Sequence, residues 1–159
     1  MGKLLSDWQV LSENFNLDEF LISQAAERLG YDNTPEEWMC FFLSELCDHV
    51  LQPLREIVGV PIIIISGYRS LEANAAICGS HNSQHMEGKA ADFIIPGMDL
   101  VNVFNIIFKN LPYDQLIYEF GKWIHVSYDV EENRKQAMIS NKVAGKTVYE
   151  RVTKELKKS

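Results

Sequence analysis

Apolar positions recur along this chain with two periods, and the switches between them set the predicted elements. Asn16 to Arg28 suits one or two helical turns. Thr34-Pro35-Glu36-Glu37 then reads as a helix start, with Thr34 capping, Pro35 at the first helical position and Glu37 completing a capping box. Trp38, Phe41, Phe42, Leu46, Val50 and Leu54 follow at helical spacing, which predicts a long core helix over about 35–58, kinked or cut short at Pro53. Gly59 closes it. Val60 to Ile65 is a nearly unbroken β-branched run, the pattern of a strand buried on both faces. Ser70 caps a short helix through Ile77, and a polar loop spans 78–88. Strands are predicted at 89–95, 115–119 and 123–128, the last two around a turn at Gly121. An amphipathic helix at 99–109 precedes that pair, and a hairpin through Ala144-Gly145, with arms 135–140 and 147–152, follows it. Helices and strands in irregular order, joined by tight turns, predict an α+β fold with a small, mostly antiparallel sheet flanked by helices. No repeat or linker divides the 159 residues. One domain is expected, with its core at about 15–128 and a hairpin and basic tail at about 131–159.

Composition narrows the function. A hydrophobic fraction of 47% with 23% charged residues supports a packed core. The net charge of -7 argues against nucleic acid, whose phosphates need clustered Lys and Arg. The imbalance is uneven: residues 131–159 hold eight Lys/Arg against four Asp/Glu, a balance of +4, so residues 1–130 carry -11. That basic end reads as a solvated tail or as a contact for an anionic wall polymer. Cys40, Cys47 and Cys78 lack metal-type spacing, and the first two, seven apart, suit one buried helix face. Met1 to Asn16 lacks a basic region followed by an apolar run, and no apolar run approaches the roughly 20 residues of a membrane helix. The expectation is therefore a monomer made in the cytoplasm without a signal peptide or membrane insertion, reaching any outside target only when released.

Polar residues that interrupt apolar strands are the candidates for chemistry. Asp92 lies inside the strand Ala90 to Ile95, where a carboxylate is costly unless paired or bound to a cation. His125 interrupts Trp123 to Val126 in the same way, and Gly88 lets the chain turn His85 back beside Asp92. Two imidazoles and a carboxylate, with water in the fourth position, make an open zinc site of the catalytic kind. The competing reading is two satisfied core histidines and an Asp92 paired with Arg69 or Lys89. The His-Glu-x-x-His helix of many zinc peptidases is absent. Ser127 follows His125 without the Gly-x-Ser-x-Gly turn of a serine hydrolase. His49 reads as structural and His81 as a loop residue.

Ser66-Gly67-Tyr68-Arg69-Ser70, then Ser-x-His-x-x-Gly-x-Ala-x-Asp over 83–92, and Trp123-Ile124-His125-Val126-Ser127 resemble the paired motifs of the zinc D-Ala-D-Ala carboxypeptidase family, which includes phage L-alanyl-D-glutamate endopeptidases and shares a fold with the hedgehog signalling domain. The similarity runs over roughly Phe15 to Tyr128. It implies a zinc-dependent peptidase acting on peptidoglycan stem peptides, of the kind found in phage endolysins. It implies His85, Asp92 and His125 as zinc ligands and Arg69 as a grip for a substrate carboxylate or the developing oxyanion. Several relatives place a catalytic carboxylate three residues before the last His, where this chain has Lys122; other branches place a Glu six before it, and Glu119 matches, which implies Glu119 as general base. Ser83, Gln84 and Trp123 are candidates for substrate contact, against loop capping for the first two and core packing for Trp123, as for Tyr68. The alternative function is a catalytically inactive, zinc-stabilised module that binds wall peptide or a partner protein, since hedgehog-type domains keep such a site without needing peptidase activity.

Overall fold

The computed structural model describes residues 5–158. Its centre is a six-stranded sheet in the order β3-β4-β6-β5-β7-β8, built from β3 (Ile63–Ser66), β4 (Ala90–Ile94), β5 (Gln115–Glu119), β6 (Trp123–Ser127), β7 (Gln136–Val143) and β8 (Lys146–Arg151). All neighbours are antiparallel except β5 and β7, which run parallel. A two-stranded ribbon, β1 (Val10–Ser12) with β2 (Phe15–Asn16), precedes two short helices, α1 (Leu17–Leu21) and α2 (Gln24–Leu29). The α+β class and the mostly antiparallel sheet agree with the sequence.

The long predicted helix is present in three joined pieces: α3 (Glu37–Leu46), a π-helical turn (Cys47–Leu51) and α4 (Gln52–Val58). Pro53 neither ends nor breaks it. The Gln52 amide bonds back to the Cys47 carbonyl, five residues away, and this wide turn places Pro53 in the first turn of α4, where its missing N–H is harmless. The start lies two residues later than expected: Glu36 is the N-cap, and the Thr34 amide is taken by the Asp32 side chain. The buried stripe is Cys40, Leu43, Leu46, Cys47, Val50, Leu51 and Leu54, whereas Trp38 and Phe41 are exposed. Burial of Cys40 and Cys47 on one face matches the sequence.

The β-branched run is a second correction. It forms the sheet's edge strand β3 rather than one buried on both sides, and Ile63 and Ile65 face solvent at 46% and 47% exposure. The strand enclosed on both faces is β4, between β3 and β6. Helix α5 (Leu71–Ala76) is capped by Ser70 through the Ala73 amide, and α6 (Leu100–Asn110) by Asp99 through Val101 and Asn102. Val103, Phe104 and Ile107 of α6 pack with Phe93, Leu116 and Ile124 in the main apolar cluster. The basic end is no free tail: the Asn105 side chain exchanges two hydrogen bonds with the Leu156 backbone, and Leu156 packs on the core. No helix among the described residues is long and apolar enough to cross a membrane.

Candidate metal centre

Strand pairing brings the three candidate ligands together. Ser66 of β3, Asp92 of β4 and His125 of β6 are directly opposite one another in a single cross-strand row, so their side chains share one face of the sheet. His85 arrives from a 3₁₀ turn (Gln84–Glu87) that ends at Gly88. Gly88 has φ +74, and a Cβ there would lie 2.4 Å from the Met39 carbonyl of α3, so only glycine closes this turn. On the other side of His85, Gly67 touches the Phe20 backbone where a Cβ would be 2.7 Å away, and its carbonyl lies 2.7 Å from His85 Nδ1. A carbonyl can only accept, so Nδ1 carries the proton and Nε2 presents its lone pair inward.

The atoms so presented are His85 Nε2, Asp92 Oδ1 and His125 Nδ1. They form a triangle with edges of 3.2 Å (Nε2 to Nδ1), 2.8 Å (Nδ1 to Oδ1) and 3.3 Å (Nε2 to Oδ1). Ligands on tetrahedral zinc, with bonds of 2.0–2.1 Å, are separated by about 3.3 Å. The three residues are at most 7% exposed and can hold one metal ion. Burial holds the His85 imidazole below its ordinary pKa, against the pull of Asp92, which favours the neutral form a metal needs. Burial alone would raise the Asp92 carboxyl, but His85, the hydrogen bonds with both imidazoles and the His125 charge hold it far below the usual carboxylate range. The donor set is thus one carboxylate oxygen and two imidazole nitrogens, with its fourth side on a cleft of about 750 Å³.

The surroundings fix this set in place. Arg69 Nη2 lies 3.4 Å from Asp92 Oδ2, the oxygen turned away from the imidazoles, while Nε and Nη1 reach Ser66 and Asn74. Asn74, passed over in the sequence inside a short helix, is 3% exposed and also donates to the Ser80 carbonyl, tying Arg69 to the loop at the cleft mouth. Asn33 was missed as well: it bridges the Leu21 and Tyr68 carbonyls and the Ser70 amide, holding the 67–70 loop. Lys89 pairs with Asp129 and Glu87 instead of Asp92.

Glu119 and Trp123 face each other across the β5–β6 turn and line the same cleft, where the Trp123 indole N–H donates to Glu119 Oε2 at 3.0 Å. Burial and the neighbouring Asp92 charge raise the Glu119 carboxyl above its ordinary pKa, against the opposing pull of His125, Trp123 and Arg69. Lys122 sits on the turn itself, exposed, and is not among the cleft residues. Ser83 and Gln84 line the cleft, with Gln84 Nε2 donating to Asp114. Tyr68 is core, Ser127 is fully buried with its hydroxyl accepting from the Gln115 amide, His81 is exposed, and His49 stacks on Tyr128 at the surface.

Two imidazoles and a carboxylate meeting at one buried point, open to a cleft, make a candidate metal centre of the open, catalytic kind. A family model described as peptidase M15 matches residues 13–127, and the chain belongs to that family of zinc metallopeptidases. No curated protein matches it.

Proposed function

We propose that this metallopeptidase hydrolyses an amide bond in peptidoglycan stem peptides, as a D-Ala-D-Ala carboxypeptidase or L-Ala-D-Glu-type endopeptidase of the kind used by phage endolysins. The observation that carries the reading is the triangle of His85 Nε2, Asp92 Oδ1 and His125 Nδ1, whose edges suit tetrahedral zinc. Bound there, zinc supplies a Lewis acid that lowers the pKa of its water to about 7 and polarises a carbonyl.

The chain's own groups supply the rest. Trp123 holds Glu119 Oε2, which leaves Oε1 to take a proton from the attacking water and return it to the leaving amine. A raised carboxyl pKa suits that exchange, because it narrows the gap to the working pH. Arg69, anchored by Ser66, Asn74 and Asp92, presents a fixed positive charge beside the reacting carbonyl. Ser83 lies at the cleft wall, where it contacts substrate.

Mass spectrometry of fragments released from purified peptidoglycan tests the reading. The zinc-loaded protein is expected to release peptides with a single type of new terminus, and Glu119→Gln to lower the rate by about 10²–10⁴-fold while binding zinc equally. Equal, chelator-insensitive release by both proteins would instead favour a zinc-stabilised binding module.

A further inference from the structure

The matched family region ends at residue 127, yet the cleft does not. Gln136, Met138 and Lys142 of β7 and Thr147 and Tyr149 of β8 continue its wall. The strand register explains why. Met138 is opposite Ile117, itself opposite His125, and Glu119 is opposite Ser140, so the cleft-facing residues of β7 extend the same sheet face that carries the metal ligands.

Three cationic side chains line the cleft, and two already have a carboxylate partner. Arg69 pairs with Asp92, and Arg134 with Asp114. Lys142 has no carboxylate partner among the described residues. Its ammonium donates to the Thr147 hydroxyl at 2.8 Å and lies 5.5 Å from the centre of the Phe120 ring. Both contacts are with neutral groups, so they position the charge without cancelling it. Phe120 itself is held at φ +54, in a turn where Asn or Gly fits with less strain, and its ring also meets Trp123 edge-on at 5.6 Å. Phe120 thus links Trp123, which holds Glu119, to an ammonium that no carboxylate compensates.

Resting on the peptide-substrate reading above, we propose that the β7–β8 hairpin is the specificity wall of the cleft and that Lys142 binds a substrate carboxylate remote from the cleaved bond. The spacing sets the reach. Lys142 lies four residues beyond Met138, about 13 Å along β7, and two strand spacings, about 10 Å, separate β7 from β6. The Cα atoms of Lys142 and His125 are thus about 16 Å apart on one sheet face, and both residues line the cleft, so the carboxylate that Lys142 meets lies several residues from the scissile amide. Stem peptides carry free carboxylates on their glutamate and diaminopimelate units.

Calorimetry with the zinc-loaded Glu119→Gln protein, which holds peptide without turnover, tests this. The probes are L-Ala-γ-D-Glu-meso-diaminopimelyl-D-Ala and the same peptide with its carboxylates amidated. Adding Lys142→Met is expected to weaken binding of the first by about fivefold and leave the second unchanged, while Lys142→Arg keeps the discrimination. Lys142 is exposed, so both variants should fold. Equal weakening for the two peptides, no weakening, or no binding by the Lys142 parent overturns the proposal. Lys142-dependent binding without cleavage by the Glu119 protein overturns the peptidase reading and leaves this one standing.

Discussion

In its proposed role as general base, Glu119 is governed by the Trp123 indole. A single N–H to Oε2 fixes the rotamer and stabilises the ionised form, opposing the burial and the Asp92 charge that raise the carboxyl. Trp123→Phe removes the donor and keeps most of the packing against Phe120. The Glu119 carboxyl then becomes looser and harder to ionise. The expected outcome is a rate about 10-fold lower at neutral pH with zinc content unchanged, by analogy with other second-sphere donors. The acid limb of the pH–rate profile should move to higher pH, since loss of a hydrogen bond to the charged form raises its pKa. A profile of kcat/KM from pH 4 to 9 checks both, and an acid limb that stays put would mean that Glu119 is not the group titrating.

At the scale of elements, Asp114 shows how the hairpin segment is coupled to the metal loop. It is buried at the mouth of β5 and accepts from the Arg134 backbone and guanidinium and from Gln84 Nε2, one residue before His85. Burial alone would raise its carboxyl, but these donors hold it below the ordinary range. A depressed folded pKa contributes stability that is complete above the unfolded value of about 3.9 and is lost as pH falls through the folded one. Asp114→Asn should cost about 2–3 kcal/mol at pH 7 in urea denaturation, and should flatten the loss of stability as pH falls below about 4. This network could not be read from the chain, because its members are 20 and 30 residues apart and each is an ordinary polar residue alone. Periodic elements were legible: α6, with Asp99 as its cap rather than its first residue, and the β5–β6 pair around Gly121 fall where the pattern places them. The triad was legible through the family resemblance of its motifs; a carboxylate and a histidine inside apolar strands alone left core pairing as an alternative. The errors came where pattern underdetermines position. An apolar run such as Val60 to Ile65 does not say whether it is central or at an edge, and helical spacing alone did not reveal that Trp38 and Phe41 face outward while Leu43 faces in.

For the whole molecule, the question is whether the metal holds the fold together or the fold holds the metal. The triad is braced from outside itself: Gly67 fixes His85, Arg69 fixes Asp92, and the sheet register places His125. The apolar cluster runs from Trp8 in the N-terminal region to Ala137 of β7 and includes none of the three ligands. Chelation should therefore leave the circular dichroism spectrum at 25 °C unchanged, unlike a zinc finger, which unfolds without its ion. Stability should still fall, because an ion bound only by the folded state contributes about 4 kcal/mol when present at a thousand times its Kd. At about 2–4 °C per kcal/mol for a chain of this size, the melting temperature should drop by about 10 °C and return when zinc is added back. An unchanged melting temperature would mean that the three ligands bind no ion in solution. Loss of the folded spectrum would mean that Gly67, Arg69 and the register are too weak to hold two imidazoles and a carboxylate together, and that the site is built by the metal it binds.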